Sequence, residues 1–303
     1  MEKCLFIYNP QSGKGKIVKN EKYIKDTLSE KFEVEVVKSE YAGHMGELIL
    51  SRGENFDTIV VAGGDGTLNE AVNSITRLNK RVRLGYIPTG TVNDVAHSLY
   101  IPRNIKKATK NIINGQVFSH DILRVNDKFG IYVCCSGLFT TSSYSTQQTK
   151  KKKLGKLAYF FDGAKKIFST YAINLKLTYE DKLLEGKFAI MLILNSRYVG
   201  GFRVNKNALL NDGVVDIILV NSEKEKVNFK AISRVAFMFL KGISKNSKKK
   251  IKHLKLSKFN IEISDDAIIN LDGEKIGQGS FDCEVVKEGV DIIVPQIKKL
   301  IKS

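Results

Sequence analysis

Cysteine is scarce in this chain, and the four present (Cys4, Cys134, Cys135, Cys283) form no C-x-x-C pair. Three sit in apolar, strand-like surroundings, so buried reduced thiols in a cytosolic protein are expected. Histidine is equally sparse: His44, His97, His120 and His253 are scattered, and no metal-ligand spacing links them. No apolar run approaches the roughly 18 residues of a membrane span. The N-terminus enters a strand directly at Cys4-Leu5-Phe6-Ile7-Tyr8 and lacks the apolar stretch of a signal peptide. A soluble or peripheral protein is the expectation. Acidic residues are also short, 32 against 49 lysines and arginines, for a net charge of +17. That excess points to nucleic acid, an anionic membrane surface or an anionic substrate. Lys150–Lys153 and Lys248–Lys250 concentrate it, although either run reads equally well as a solvated lysine face. With 303 residues, 43% apolar and 27% charged, the chain has the make-up of about two globular domains.

The chain is organised around Val60-Val61-Ala62-Gly63-Gly64-Asp65-Gly66-Thr67-Leu68-Asn69-Glu70. The run from Asp57 to Ala62 has the β-branched pattern of a strand buried on both faces. Three glycines then surround one carboxylate, and Thr67-x-x-Glu70 predicts a capping box opening a helix. Strand, glycine turn and helix N-terminus together suit phosphate, because free amides and the helix dipole favour anions. Asp65 would repel a phosphate there unless a magnesium ion sits between them.

Before this centre lie a strand over Lys3–Tyr8, the turn Asn9-Pro10-Gln11-Ser12-Gly13-Lys14-Gly15-Lys16, and a helix over Ile17–Lys31. The turn is a plausible phosphate loop without Walker A spacing. A strand over Glu33–Lys38 ends at Ser39, and a helix follows over Gly43–Arg52, with His44 facing water. After the centre come a strand at Arg83–Ile87, the turn Pro88–Asp94, and a helix over Ile105–Asn114 closed by Gly115. This alternation predicts an α/β domain with a doubly wound, mostly parallel sheet. Its three glycine-containing turns follow strand C-termini, where such sheets bind ligands.

Past His120-Asp121 the pattern turns to strands. A hairpin of Ile122–Val125 and Gly130–Ser136 is expected, then strands at Ile173–Tyr179, Gly186–Asn195, Val214–Val220, Asn260–Ser264, Ile268–Leu271 and Ser280–Val286. They make a β-rich antiparallel, sandwich-like domain. Helical stripes interrupt it at Lys153–Tyr171 and Lys226–Gly242; the second sets Phe229, Ile232, Ala236, Phe239 and Leu240 on one side. Such stripes usually pack on the sheet, with membrane contact the alternative. The expected division is residues 1–120 and 121–294, with a final helix at 295–303.

Four blocks in order resemble the diacylglycerol kinase catalytic family, specifically its bacterial soluble lipid kinases. They are Asn9-Pro10-x-Ser12-Gly13, Gly63-Gly64-Asp65-Gly66-Thr67-x-Asn69-Glu70, Pro88-x-Gly90-Thr91-x-Asn93-Asp94 and Leu271-Asp272-Gly273-Glu274. Lys153–Tyr159 is similar to a further family segment, while Gly137–Thr141 departs where family members carry an acidic residue near Thr140. The resemblance implies ATP in the cleft, contacting Asn9, Ser12, Gly13, Ser39, Gly63, Gly64, Asp65, Gly66, Thr67, Leu68, Asn69 and Thr91. It implies Asp65, Asp94 and Asp121 in a water and Mg2+ network. A structural Mg2+ maps onto the carbonyls of Leu209 and Val214 and the carboxylate of Asp212. Asp272 matches the catalytic base, with Glu274 on the same turn able to orient it or the metal. It implies a β domain that shapes the lipid site, and a chain end, 295–303, that packs back on the nucleotide domain.

The residue types suit phosphoryl transfer, which needs a positioned γ-phosphate, neutralised charge and a deprotonated acceptor hydroxyl. From spacing alone, Asp272-Gly273 and Asp212-Gly213 also read as hairpin turns, and Asn93 and Asp94 as helix caps. The expected activity is ATP-dependent phosphorylation of a lipid hydroxyl, diacylglycerol leading, on a peripheral enzyme at the anionic inner membrane face; a homodimer stays open. An NAD kinase is the enzyme alternative, opposed by the absence of a later Thr-Gly-Ser-Thr block. A basic nucleic-acid-binding protein is the other, opposed by the lack of a reading module; no nucleic-acid partner is expected.

Overall fold

The computed structural model describes residues 1–138, 171–243, 251–263 and 267–296. Its first strand, β1 (Glu2–Tyr8), alternates between two apolar layers. Leu5 and Ile7 face one layer and Cys4, Phe6 and Tyr8 the other, all with no exposed surface. A strand so covered needs helices on both sides, and the chain supplies them. β2 (Phe32–Lys38) and β3 (Thr58–Gly63) flank β1 in parallel, and β4 (Arg83–Pro88) extends the sheet beyond β3. On one face α1 (Lys16–Leu28) and α5 (Ile105–Asn114) contribute Ile17, Ile24, Ala108 and Ile112. On the other, α2 (His44–Arg52) and α3 (Asp65–Ile75) contribute Met45, Ile49, Leu68 and Val72. The short α4 (Asp94–Ser98) follows β4.

Two long strands carry the chain from this parallel sheet into the rest. β5 (Gln116–Val125) pairs antiparallel with β15 (Ser280–Val294) along most of their length. The far end of β15 also joins β4 in parallel through Asp291 and Ile292, and its near half joins β12 (Lys258–Ile263) antiparallel. A register shift between Val286 and Val290 bends β15, with Glu288 at φ +53°. Beyond it the strands are antiparallel: β6 (Lys128–Gly130), β7 (Val133–Gly137), β8 (Ile173–Tyr179), β9 (Lys182–Leu194), β10 (Val215–Asn221), β11 (Ile251–Leu256), β13 (Ile269–Leu271) and β14 (Glu274–Gly277). β9 sends Met191 and Ile193 into one apolar layer and Ile190, Leu192 and Leu194 into another. The second layer is covered by α6 (Phe229–Lys241), capped by Asn228, whose Oδ1 accepts from the Ala231 amide at 2.9 Å. The fold is therefore an N-terminal α/β region with parallel strands and a β-rich antiparallel, sandwich-like second region, as the pattern predicts.

Several local expectations are corrected. The capping box does not form: α3 begins at Asp65 with Gly64 as N-cap, three residues before the predicted cap at Thr67. Glu70 then lies too deep in the helix to reach back, and accepts instead from the Gly46 amide of α2 at 2.8 Å. The hairpin at Asn126-Asp127 joins β5 to the short β6 only. The chain breaks at Ile131-Tyr132, because their amides turn to a carboxylate, and β7 pairs with β9 and β13. In α6 the buried side is Ala231, Val235, Met238 and Phe239, while Phe229, Phe237 and Leu240 are exposed; β11 has no counterpart among the predicted strands. The predicted helix at Lys153–Tyr171, save Tyr171, the lysine runs Lys150–Lys153 and Lys248–Lys250, the departure at Phe139–Thr141, and 297–303 of the predicted last helix lie outside the described residues. Pro295 and Gln296 meet the first region: the Gln116 Nε2 donates to the Pro295 carbonyl at 3.1 Å and the Gln296 Nε2 to that of Asn114 at 3.0 Å.

Candidate active site

β1 and β3 are neighbours whose following chain segments leave to opposite faces of the sheet, so a crevice opens at their C-terminal ends. Three turns close on it. In the first, Asn9 accepts the Gln11 amide on its Oδ1 at 2.8 Å, and Ser12 Oγ lies 2.7 Å from Thr89 Oγ1 of the third turn. Gly13, at φ +60°, would put a Cβ 3.0 Å from Thr89 Cβ. In the second, a Cβ on Gly63 would stand 2.3 Å from Thr67 and one on Gly90 2.6 Å from Gly64 Cα. Glycine at these positions is therefore a condition for the turns to meet. Ser39, buried at the end of β2, donates its amide to the Tyr8 carbonyl at 2.9 Å, on the same edge of the crevice. The open space above Gly66 and a first turn of α3 that no side chain caps make this a place for an anion. Leu68 is wholly buried and offers only its backbone, and the Thr91 carbonyl accepts from Arg103 Nη2 at 3.2 Å.

The carboxylates are held by amides. Asp65 Oδ2 accepts the Asn93 amide at 2.8 Å, while its buried Oδ1 has no partner; burial holds its carboxyl above the usual range. Asn93 is bent to φ +56°, and its Nδ2 donates to the Gly90 carbonyl at 2.8 Å. Asn93 stands at the N-cap of α4, where its carbonyl accepts the His97 amide at 3.0 Å but its side chain makes no cap bond, and Asp94 is the first helical residue. Asp94 accepts from the amides of Gly200 and Gly201 at 2.6 and 2.8 Å, reaching into the second region.

Asp121 stands elsewhere. Its oxygens take the Gly213 and Glu288 amides, both at 2.7 Å, and its own amide donates to the Leu210 carbonyl at 2.9 Å. It thus belongs with the Leu209–Val214 turn, at the bend of β15. Next to it the buried His120 is pushed down to about 4 by desolvation and stays neutral. On that turn Asp212 Oδ1 is buried without a partner, and Lys255 Nζ lies 3.0 Å from Oδ2. Among the described residues, no three His, Cys, Asp or Glu side chains converge as a metal cluster.

Asp272 is buried at the β13–β14 turn, with φ +51°. Its Oδ2 accepts the Ile131 amide at 2.5 Å, and its Oδ1 those of Tyr132 and Val133 at 3.1 and 2.8 Å. The Asn69 side-chain amide, turned to present its NH2, adds a bond to Oδ2 at 3.1 Å and ties Asp272 to α3. Desolvation, opposed by these amides and helped by the Asp65 charge, pushes the carboxyl up to about 7. Glu274 is exposed on β14, and the groups that hold Asp272 are amides. Backbone donors such as Gly200, Gly201 and Ile131–Val133 carry no side-chain signature, so no residue pattern could have named them.

A family model for the diacylglycerol kinase catalytic domain matches residues 3–125, and one for a YegS C-terminal NAD kinase β sandwich-like domain matches residues 134–294. Fold and site define a diacylglycerol kinase-like phosphotransferase. The chain is 32% identical to a Bacillus subtilis diacylglycerol kinase, over 98% of each chain. It is 29% identical to one from Staphylococcus saprophyticus, over 97% of this chain and 96% of that one. A solved Bacillus anthracis structure, provisionally described as a diacylglycerol kinase, superposes with TM-score 0.85 at 26% identity over 97% of each chain. The chain belongs to the diacylglycerol kinase catalytic family and is a lipid kinase of that family; membership implies ATP as phosphoryl donor. Among the described residues no helix is long and apolar enough to cross a membrane.

Proposed function

We propose that the protein transfers the γ-phosphoryl group of ATP to the hydroxyl of diacylglycerol, giving phosphatidic acid, with the lipid presented at an anionic bilayer. The observation that carries this reading is Asp272: a carboxylate sunk among three amides, poised near neutrality, and linked by Asn69 to the helix that opens at the glycine turn. A base with a pKa near the working pH is best matched to removing a hydroxyl proton. Asn69 is the only side chain among the partners given above for Asp272, and its rotation opens Oδ2 to the acceptor hydroxyl. The carboxylate takes the proton, the lipid oxygen bonds to the γ-phosphorus, and the bond to the β–γ bridging oxygen breaks, releasing ADP. Amides of the Ser12, Gly64–Gly66 and Thr91 turns would hold the phosphates in line.

Mg2+ fits the site on one observation: Asp65 Oδ1 is buried and unpartnered. Asp65 would hold the ion, with Asp94 beside it, and the ion would neutralise phosphate charge. The Asp212 turn offers the same kind of orphaned oxygen for a structural ion, with Leu209 and Val214 carbonyls in the turn and Lys255 as a resident cation on the other oxygen. The test is transfer of radiolabel from γ-labelled ATP across a panel of diacylglycerol, ceramide, sphingoid base, polyprenol and NAD. Label entering diacylglycerol fastest supports the reading. Label entering another lipid fastest moves the substrate, and label in NAD instead would overturn it.

A further inference from the structure

The α6 helix has two apolar faces, and among the described residues only one is packed against the sheet. Ala231, Val235, Met238 and Phe239 pack on β9 and β10, yet Phe229, Phe237 and Leu240 stand 72%, 54% and 67% exposed. At 100° per residue, Phe229, Ala236 and Leu240 fall within about 40° of one another, with Phe237 beside them. Three large apolar side chains on one outward helix face are more than the scattered exposure of an ordinary surface. The charge carried by the helix itself is basic, with Arg234 Nη2 paired to Glu223 at 3.2 Å and the lysines without that partner. From Lys226 to Lys252 the sequence holds nine lysines and arginines and no Asp or Glu. Lys230 and Lys241, on the helix itself, are exposed.

We propose that α6 docks this kinase on anionic membranes, inserting Phe229, Phe237 and Leu240 at the boundary between headgroups and acyl chains while the flanking lysines meet lipid phosphates. An amphipathic helix with aromatic and leucine side chains on one face and basic residues around it has this mode of binding, and the basic run strengthens it. The proposal rests on the lipid-kinase reading, since the acceptor then lies in the same bilayer. The helix is also tied to the site. Phe239 meets the Phe202 ring edge-on at 5.8 Å, and the Ile243 amide donates to the Val204 carbonyl at 2.9 Å. The same 199–204 segment supplies the Gly200 and Gly201 amides that hold Asp94. Seating α6 thus fixes the orientation in which the crevice meets the bilayer.

The chain has no tryptophan, so Phe237→Trp introduces a single reporter on this face. Its emission should shift to shorter wavelength with phosphatidylglycerol vesicles and stay put with phosphatidylcholine vesicles. Leu50→Trp, 46% exposed at its native leucine on α2, should not shift with either. The triple variant Phe229→Ser, Phe237→Ser, Leu240→Ser should keep its melting temperature, because the side chains are exposed. It should lose about tenfold or more in vesicle retention and in rate on vesicle-borne diacylglycerol, and keep its rate on dissolved short-chain diacylglycerol. Unshifted emission from the Phe237→Trp reporter, or a triple variant retained like the wild type, overturns the docking. So does a dimer that the triple variant alone dissociates, which makes the occupant a second copy. A melting temperature that falls in the triple variant, with no vesicle binding by the wild type, makes it the chain's own 139–170 segment and overturns it too. Wild type that phosphorylates dissolved lipid but ignores vesicles refutes docking alone; vesicle binding without phosphate transfer to any lipid refutes the kinase reading alone.

Discussion

The parallel sheet and the antiparallel region build their halves of the site in different ways. In the first, the three turns lie at the ends of adjacent strands, so sheet pairing alone brings Ser12 to Thr89, Gly64 to Gly90 and Asp65 to Asn93. In the second, Asp272 sits on a two-residue turn between short strands and is fixed by amides 139 to 141 residues away. The first half is local and rigid by topology. The second depends on long-range pairing, with β15 tying the two regions.

That contrast predicts separable failures. Asp65→Ala has the largest expected effect: it removes the unpartnered oxygen and the anchor of the Asn93 turn, and turnover should fall to background with loss of ATP affinity. Near wild-type turnover would place the nucleotide outside the glycine turn. Asp272→Asn comes next, lowering turnover by about a hundredfold to ten-thousandfold, while ATP affinity measured calorimetrically stays. If ATP binding is lost as well, Asp272 shapes the first half and the two halves are not separable.

The same carboxyl makes a prediction about pH. Its folded pKa, about 7, lies above the ordinary carboxylate value. Its contribution to stability is therefore fully present below pH 4 and lost as pH rises through 7. The asparagine of the Asp272→Asn variant would not titrate, although one of its two side-chain heads donates and leaves the Ile131 amide without its acceptor, so the variant starts less stable. The melting-temperature gap between wild type and Asp272→Asn should shrink from pH 5 to pH 8, while wild-type turnover rises over the same range. A gap that widens would mean the amides hold the carboxyl low.

Asp212→Ala should give the smallest change. The pair it breaks with Lys255 is partly exposed, worth about 1 kcal/mol or less, which is roughly 2 °C or less for a chain of this size. If the turn also holds Mg2+, a chelator should lower the wild-type melting temperature and leave that of Asp212→Ala unmoved. Equal response in both would remove the ion from this turn.

Much of this was legible in the residues because the signals are local. A β-branched run before a glycine turn reads as a strand covered on both faces, and β3 is such a strand; β1 and β4 share the double cover without the β-branched run. The Ser12, Gly63–Asn69 and Gly90–Asp94 blocks could be named because glycines and small polar residues are what a close-meeting turn requires. The break after Gly130 and the extension of β15 to Val294 were not legible, since each depends on a partner far along the chain. The α6 stripe was readable as amphipathic, but which apolar residues face the sheet was not, because two adjacent apolar arcs have the same periodicity.

The sequence by itself determined the alternation of strands and helices, the three phosphate-type turns and the excess of positive charge. These follow from side-chain size, backbone freedom and charge, which belong to each residue wherever it lies. Only the tertiary structure decided that Asp121 stands with Asp212 and not with Asp65, that amides of Gly200 and Gly201 hold Asp94, and that Asp272 is buried beside Asn69. Those facts concern which groups lose water together. Desolvation and amide bonding depend on three-dimensional neighbours, and a backbone N–H gives no sign in the sequence of the carboxylate it will meet.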